Sequence, residues 1–345
     1  MSSATKTIKV LSTNLIFCIL IYLLFEIFTG NFISNQKLKC SYIKCNADYN
    51  HKITLYSKEK ISVNYKKDKY GFRGRRKTIS EIDIIAIGGS TTDERYLNEE
   101  DTWVEQLEKQ FVQNQIPIDI VNAAIDGQST IGHIWNFNNW FNKIENLQTK
   151  YFIFYIGLNE VKTTRRKDFK YDKKFTLINK IKYFIEFNGG ITYKLYEFFY
   201  LKKNLIDEFN IGHNPTREAI YFKIKKKTKL DQKLISDIYS RLNELYILSK
   251  KFNSTPIFIT QRSLKWKKVG NQIFSLSEVS NIYDIEKQKS DLIMKFCLDK
   301  RMKCINGFEL FKLNEKDIYD LVHLNPKGSK KISAVLYENL KDLKF

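Results

Sequence analysis

The sequence predicts an α/β fold built on a parallel sheet covered on both faces. Three observations carry that reading. The apolar runs IDIIAIG (Ile82–Gly88) and YFIFYIG (Tyr151–Gly157) are too continuous for half-exposed strands and too short for helices, so they read as strands buried on both sides. Segments of helical period alternate with the strands. The first three strands end in loops of small and polar residues, GGSTT, NAAIDGQST and GLNE, and in parallel sheets of this kind the site lies outside the carboxyl ends of the strands.

The chain divides into three regions. Residues 1–30 contain Val10–Phe28, VLSTNLIFCILIYLLFEIF, preceded by Lys6 and Lys9. The run is long enough for one membrane span, at the short end of the range. Glu26 lies near its far end, within reach of the interface. A cleavable signal peptide would have a shorter apolar core and a small-x-small cleavage site, and no lipobox precedes Cys18. The expectation is an uncleaved single-pass anchor with the bulk of the chain outside the cytoplasm. Residues 31–80 are polar, basic and tyrosine-rich and read as a stalk and docking segment. Within it KYGFRGRR (Lys69–Arg76) sets Phe72 and Arg73 between glycines, a turn expected to dock on the main domain.

Residues 81–345 hold the strand and helix pattern. The expected elements are the strand Ile82–Gly88, the helix Thr102–Gln113, the strand Ile118–Asn122 introduced by Pro117, and the strand Tyr151–Gly157. A fourth strand, Pro256–Thr260, a short fifth at Lys303–Asn306 and a final helix Asn325–Leu340 begun by Pro326 complete it. Between the third and fourth strands, residues 161–252 form a helical insertion with 22 basic and 10 acidic residues. Its stretches KFTLINKIKYFIEF and ITYKLYEFFYLKK read as amphipathic helices capping the core, a membrane-surface position being the alternative. Asp231–Lys250 reads as an ordinary helix feeding the fourth strand.

Composition bounds the partners. The 345 residues are 43% hydrophobic with a formal charge of +20, enough for a real core and unlike a disordered chain. The lysine excess is spread out, no arginine stripe or nucleic-acid motif occurs, and no nucleic-acid partner is expected. Five cysteines lack Cys-x-x-Cys or Cys/His zinc spacing, so no metal and no cofactor is expected. Cys40 with Cys45 and Cys297 with Cys304 suit two disulfides if the domain is exported; buried thiols suit the same spacing.

The chemistry concentrates in two places. Ser90 follows Gly88 and Gly89 at a strand-to-helix turn, where free backbone N–H groups face a developing negative charge. In DLVHLNPKG, Asp320 and His323 are three residues apart, so a carboxylate can hold one imidazole nitrogen and leave the other free. A serine hydroxyl needs a base to take its proton: Ser90 is the candidate nucleophile, His323 the base, and Asp320 the group that orients the imidazole. Candidate oxyanion donors are the backbone N–H groups of Ser90 and Gly127 and the side-chain amide of Asn159. His51, His133 and His213 lack a comparable partner arrangement.

These four blocks, GGS with Ser90, NAAIDG with Gly127, GLNE with Asn159 and DLVH with Asp320 and His323, occur in the order of the SGNH hydrolases, the GDSL-type esterases, which the chain resembles from about Ile82 to its C-terminus. There are departures: Gly89 stands where the name-giving motif has Asp, Ala124 where a glycine is common, and Glu160 where Asp is usual. The resemblance implies a three-layer α/β/α, flavodoxin-like fold with about five parallel strands. It implies metal-free ester hydrolysis through an acyl-serine. With the anchor, the expected substrate is an acyl ester of a cell-envelope glycan or related surface molecule. An O-acyltransferase using the same triad, and a silent module binding glycan or an anionic surface, are the alternatives.

Overall fold

The structure, a computed structural model, describes residues 3–30, 38, 40–74, 78–160, 190–196, 221–224, 227–276 and 281–345. Contacts divide the chain into two units, one of Met1–Ile43 and Asp172–Ile211, the other of Lys44–Tyr171 and Gly212–Phe345. In the first, the helix Ser3–Thr29 contains Ile8–Thr29, long and apolar enough to cross a membrane, with a mean hydropathy of 2.2 and little of its surface covered. Its Glu26 carboxylate accepts the backbone N–H groups of Gly190 and Thr192, at 2.8 and 3.0 Å. It thereby satisfies donors that the start of the helix Ile191–Tyr196 would otherwise leave unpaired. The stretch KFTLINKIKYFIEF lies outside the described residues, as do the residues after Tyr196 up to position 220.

The second unit begins with an antiparallel hairpin, β1 (Asp48–Ile53) and β2 (Ile61–Lys66). Then come β3 (Ile82–Gly88), β4 (Ile120–Asn122), β5 (Thr149–Ile156), β6 (Phe222–Lys223), β7 (Thr255–Thr260), β8 (Trp266–Val269), β9 (Gln272–Ser275) and β10 (Cys304–Ile305). Five of these form a parallel sheet in the order β10-β7-β5-β3-β4. Counted along the chain, that is the flavodoxin-like order 2-1-3-4-5.

Strand alternation sorts the side chains onto two covered faces. Ile84, Ala86, Ile153, Tyr155, Ile257 and Ile259 pack with Trp103, Leu107 and Phe111 of the helix Trp103–Gln113 and with Ile332, Leu336 and Leu340 of the helix Pro326–Leu340. On the other face Phe152, Phe154 and Phe258 meet Phe137 of the helix Thr130–Asn139 and Phe296 of the helix Ile282–Asp299. Removing these aromatic and branched side chains from water is the main stabilising term of the three-layer arrangement, at about 1.5–3 kcal/mol for each fully buried side chain.

The first strand matches its sequence expectation residue for residue, and the others differ at their ends. Thr102 and Asp231 are caps, accepting the N–H groups of Glu105 and Leu234 rather than starting their helices. Ile118 and Asp119 stand before β4, which is only three residues long. The helices Thr130–Asn139 and Ile282–Asp299 and the three-stranded sheet β6-β9-β8 were not assigned by the strand-and-helix pattern. The insertion is therefore not helical throughout, since Phe222–Lys223 is a strand. A disulfide joins Cys297, near the end of the helix Ile282–Asp299, to Cys304 of β10.

Sheet register sets the level of the functional loops. Gly88 pairs with Tyr155, and Ile156 with Thr260, so β3, β5 and β7 end at one rim. The next residues in each strand's chain carry Ser90, Asn159 and Gln261.

Candidate active site

Ser90 opens a single helical turn, Ser90–Asp93, capped by Gly89 and closed by the Glu94 N–H bonding the Ser90 carbonyl at 2.9 Å. Gly88 and Gly89 are required here for space, not for left-handed backbone, since φ at Gly89 is −93°. A Cβ on Gly88 would collide with the Thr92 side chain. One on Gly89 would collide with the Asn159 amide and crowd the Gln128 carbonyl. The glycines thus let the loops after β4 and β5 close in on the serine.

The Asp320–His323 segment is a tight loop, not a helical turn. It is pinched by an antiparallel bridge between Ile318 and Leu324 and by the Tyr319 N–H donating to the His323 carbonyl at 3.1 Å. One Asp320 oxygen, Oδ1, accepts the backbone N–H groups of Val322 and His323, both at 2.7 Å. The other, Oδ2, lies 2.6 Å from His323 Nδ1, and His323 Nε2 lies 2.8 Å from Ser90 Oγ. Two segments 233 residues apart in sequence are thereby joined in one hydrogen-bonded line. Burial alone would raise the Asp320 carboxyl, but the hydrogen bonds and charge of His323 hold it below the usual carboxylate range. The Tyr319 ring lies parallel to the imidazole with 5.6 Å between centroids, backing it from one side. Asn325 caps the final helix through the Gly328 N–H at 3.0 Å, tying the loop to a rigid element.

The loops of the second and third blocks are locked together. Gly127 has φ +77°, a conformation that side chains other than glycine rarely take. Asn159 Nδ2 donates to the Gln128 carbonyl at 2.8 Å, which fixes its amide plane. Glu160 is buried and accepts the Thr130 N–H at 2.8 Å, the Thr130 hydroxyl at 2.7 Å and an N–H of Arg241 Nη2 at 3.1 Å. Its side chain reaches the start of the helix that follows the Gly127 turn.

The docking segment contributes what the motif blocks do not show. Phe72 is buried against Trp140 and Phe141, and Arg73 is buried beneath the Ser90–Asp93 turn. Its guanidinium donates to the carbonyls of Asp93, Glu94 and Leu97 at 2.5, 3.0 and 2.7 Å. Its backbone pairs with Asn122 at the end of β4. Tyr65 of the hairpin donates to Asp93 Oδ1 at 2.7 Å, and Lys67 donates to the Ala124 carbonyl at 2.8 Å. Burial lowers Lys67 to about 8. Burial would raise Asp93, but Lys67, Arg95 and Arg73 keep it below its usual range. Gln261, after β7, donates to Thr91 Oγ1 at 2.7 Å and accepts the Leu158 N–H at 2.8 Å, linking the first and third blocks.

Glu94 ends the nucleophile turn with φ +41°. It accepts the Trp103 N–H at 2.7 Å and meets the Ser329 hydroxyl at 2.5 Å. Burial pushes its carboxyl up to about 8 despite those bonds. Of the other histidines, His133 is buried beside Phe154 and His51 lies on the hairpin beside Tyr96, while His213 is outside the described residues.

The fold and the line Asp320–His323–Ser90 define a class of arrangement: a serine hydroxyl paired to an oriented imidazole at the carboxyl rim of a flavodoxin-like sheet. Several solved structures are similar to the chain at low identity. A member of the lipolytic G-D-S-L family from Veillonella parvula is 14% identical with a TM-score of 0.44, over 76% of this chain and all of that one. An acetyl xylan esterase is 13% identical with a TM-score of 0.43, over 75% of this chain and all of that one. A psychrotrophic esterase from Pseudoalteromonas is 12% identical with a TM-score of 0.40, over 76% and 97% of the two chains. These are distant likenesses. No protein-family model and no curated protein matches the sequence.

Proposed function

We propose that the chain is a serine esterase of the SGNH type. The observation that carries the reading is the continuous pair of contacts from Asp320 through His323 to Ser90, at 2.6 and 2.8 Å. In the proposed reaction His323 Nε2 takes the Ser90 proton as Oγ attacks an ester carbonyl. Asp320 stabilises the imidazolium that forms. The tetrahedral oxyanion is held by the backbone N–H groups of Ser90 and Gly127 and by the Asn159 amide, whose plane the Gln128 carbonyl sets. The imidazolium then protonates the departing alcohol, and water, activated by the same histidine, releases the acyl group.

The apolar helix supports membrane anchoring; action outside the cytoplasm on acyl esters of an envelope glycan is our proposed extension of that reading. Hydrolysis of p-nitrophenyl acetate by the full chain in detergent, compared with Ser90→Ala, tests the reaction. Turnover abolished in the variant is expected; equal turnover in the two would remove Ser90 from the chemistry.

A further inference from the structure

A small pocket, open to solvent, lies against Ser90 and His323 and is lined by Asp93, Arg95, Tyr96, Asp126 and Tyr319. In acyl transfer the imidazolium gives its proton to the departing alkoxide, so the alcohol leaves on the imidazole's side of the serine. His323 lines the pocket, and the proposed oxyanion residues Gly127 and Asn159 do not. We infer, building on the esterase reading above, that this pocket is the alcohol subsite and that Arg95 and Asp126 together read the hydroxyl groups of a sugar.

The chemistry of the lining selects that class of alcohol. Arg95 Nη2 stands 3.5 Å from Asp93 Oδ2 and 3.4 Å from Asp126 Oδ2, both longer than a good hydrogen bond. A hydroxyl entering between them gains a donor from the guanidinium and an acceptor from the carboxylate. A hydroxyl both gives and takes a hydrogen bond, and neighbouring hydroxyls on a ring repeat the demand. The Asp126 side chain is 42% exposed and reachable from solvent. Tyr96, half-buried and held edge to face against the buried Tyr319 ring at 6.1 Å, is the aromatic side chain placed to meet the C–H face of a sugar ring.

The test compares two esters that share the acetyl group and differ in the alcohol. One is p-nitrophenyl acetate; the other is a mono-O-acetylated methyl glycoside, in a panel of glucose, galactose and N-acetylglucosamine. The full chain in detergent is assayed as wild type, Asp126→Asn and Asp126→Ala; exposure of this side chain makes both changes compatible with folding. The expected result is a fall of at least about tenfold in the ratio of kcat/KM for the best glycoside to kcat/KM for p-nitrophenyl acetate, expressed mainly in KM. A ratio unchanged in both variants overturns the inference, and so does equal loss on the two esters, which would make Asp126 a support for the nucleophile loop. Wild-type turnover of p-nitrophenyl acetate with none of any glycoside overturns the sugar subsite and leaves the esterase reading standing. Turnover of neither ester removes the esterase reading and the subsite with it.

Discussion

Replacing Glu94 with glutamine should remove a pH-dependent weakness directly behind the nucleophile turn. The buried carboxyl is raised from 4.5 to about 8. Between those values the folded chain holds a proton that the unfolded chain has released, so stability falls as pH rises through this window. At about 1.4 kcal/mol per pH unit the cost of ionising Glu94 above pH 8 approaches an upper bound of about 5 kcal/mol. Glutamine mimics the protonated acid. Its oxygen can accept the Trp103 N–H, and its NH₂ can donate to the Ser329 hydroxyl. Denaturant unfolding of the full chain in detergent, followed by tryptophan fluorescence, reads the difference, because Trp103 is buried at the start of the adjoining helix. Wild type and Glu94→Gln should unfold at similar denaturant near pH 4.5, and the variant should be more stable by several kcal/mol near pH 8.5. A gap between the two that does not change with pH would refute the reasoning.

Further outcomes follow from the same contacts. Arg73→Ala strips donors from three carbonyls of the nucleophile turn and should destabilise the fold by about 3 kcal/mol in thermal or chemical unfolding, with reduced kcat under native conditions. His323→Ala should lower kcat/KM for p-nitrophenyl acetate by about 10³-fold or more, and Asp320→Asn by less. Near-normal turnover in His323→Ala would disprove the base assignment. Asn159→Ala should lower kcat by about 10²–10³-fold with little change in KM, since an oxyanion contact acts in the transition state. A pure rise in KM would put Asn159 in substrate binding. Reporter fusions after Lys60 should score as exported; a cytoplasmic score would reverse the proposed topology.

Much of the sheet was readable because strands buried on both faces leave uninterrupted apolar runs, as in IDIIAIG. Chain punctuation was readable too, with Pro326 at the start of the last helix and Gly89 before the serine. The helix Thr130–Asn139 was not, because TIGHIWNFNN contains glycine and three asparagines, which are poor helix formers. Its start is secured by Ser129, whose side chain accepts the Ile131 N–H, and by the distant Glu160 carboxylate. The helix Ile282–Asp299 does have an apolar period, and IYDIEKQKSDLIMKFCLD carried a signal that could have found it. The motif blocks identified Ser90, Asp320 and His323 as candidates, and these meet. The blocks carried no sign of Arg73 or Gln261, whose roles arise from contacts between distant segments. In KYGFRGRR, Phe72 and Arg73 are buried, and the glycines on either side, Gly71 and Gly74, have φ of +84° and +104°, which favour glycine.

The most direct measurement is to quench the full chain with acid during turnover of p-nitrophenyl acetate and map acetylation by mass spectrometry. The account predicts an acetyl group on the peptide bearing Ser90, absent from Ser90→Ala and accumulating when His323 is replaced only if an activated ester can acylate without the base. Sustained ester turnover with Ser90 unmodified, or with undiminished rate in Ser90→Ala, would contradict it.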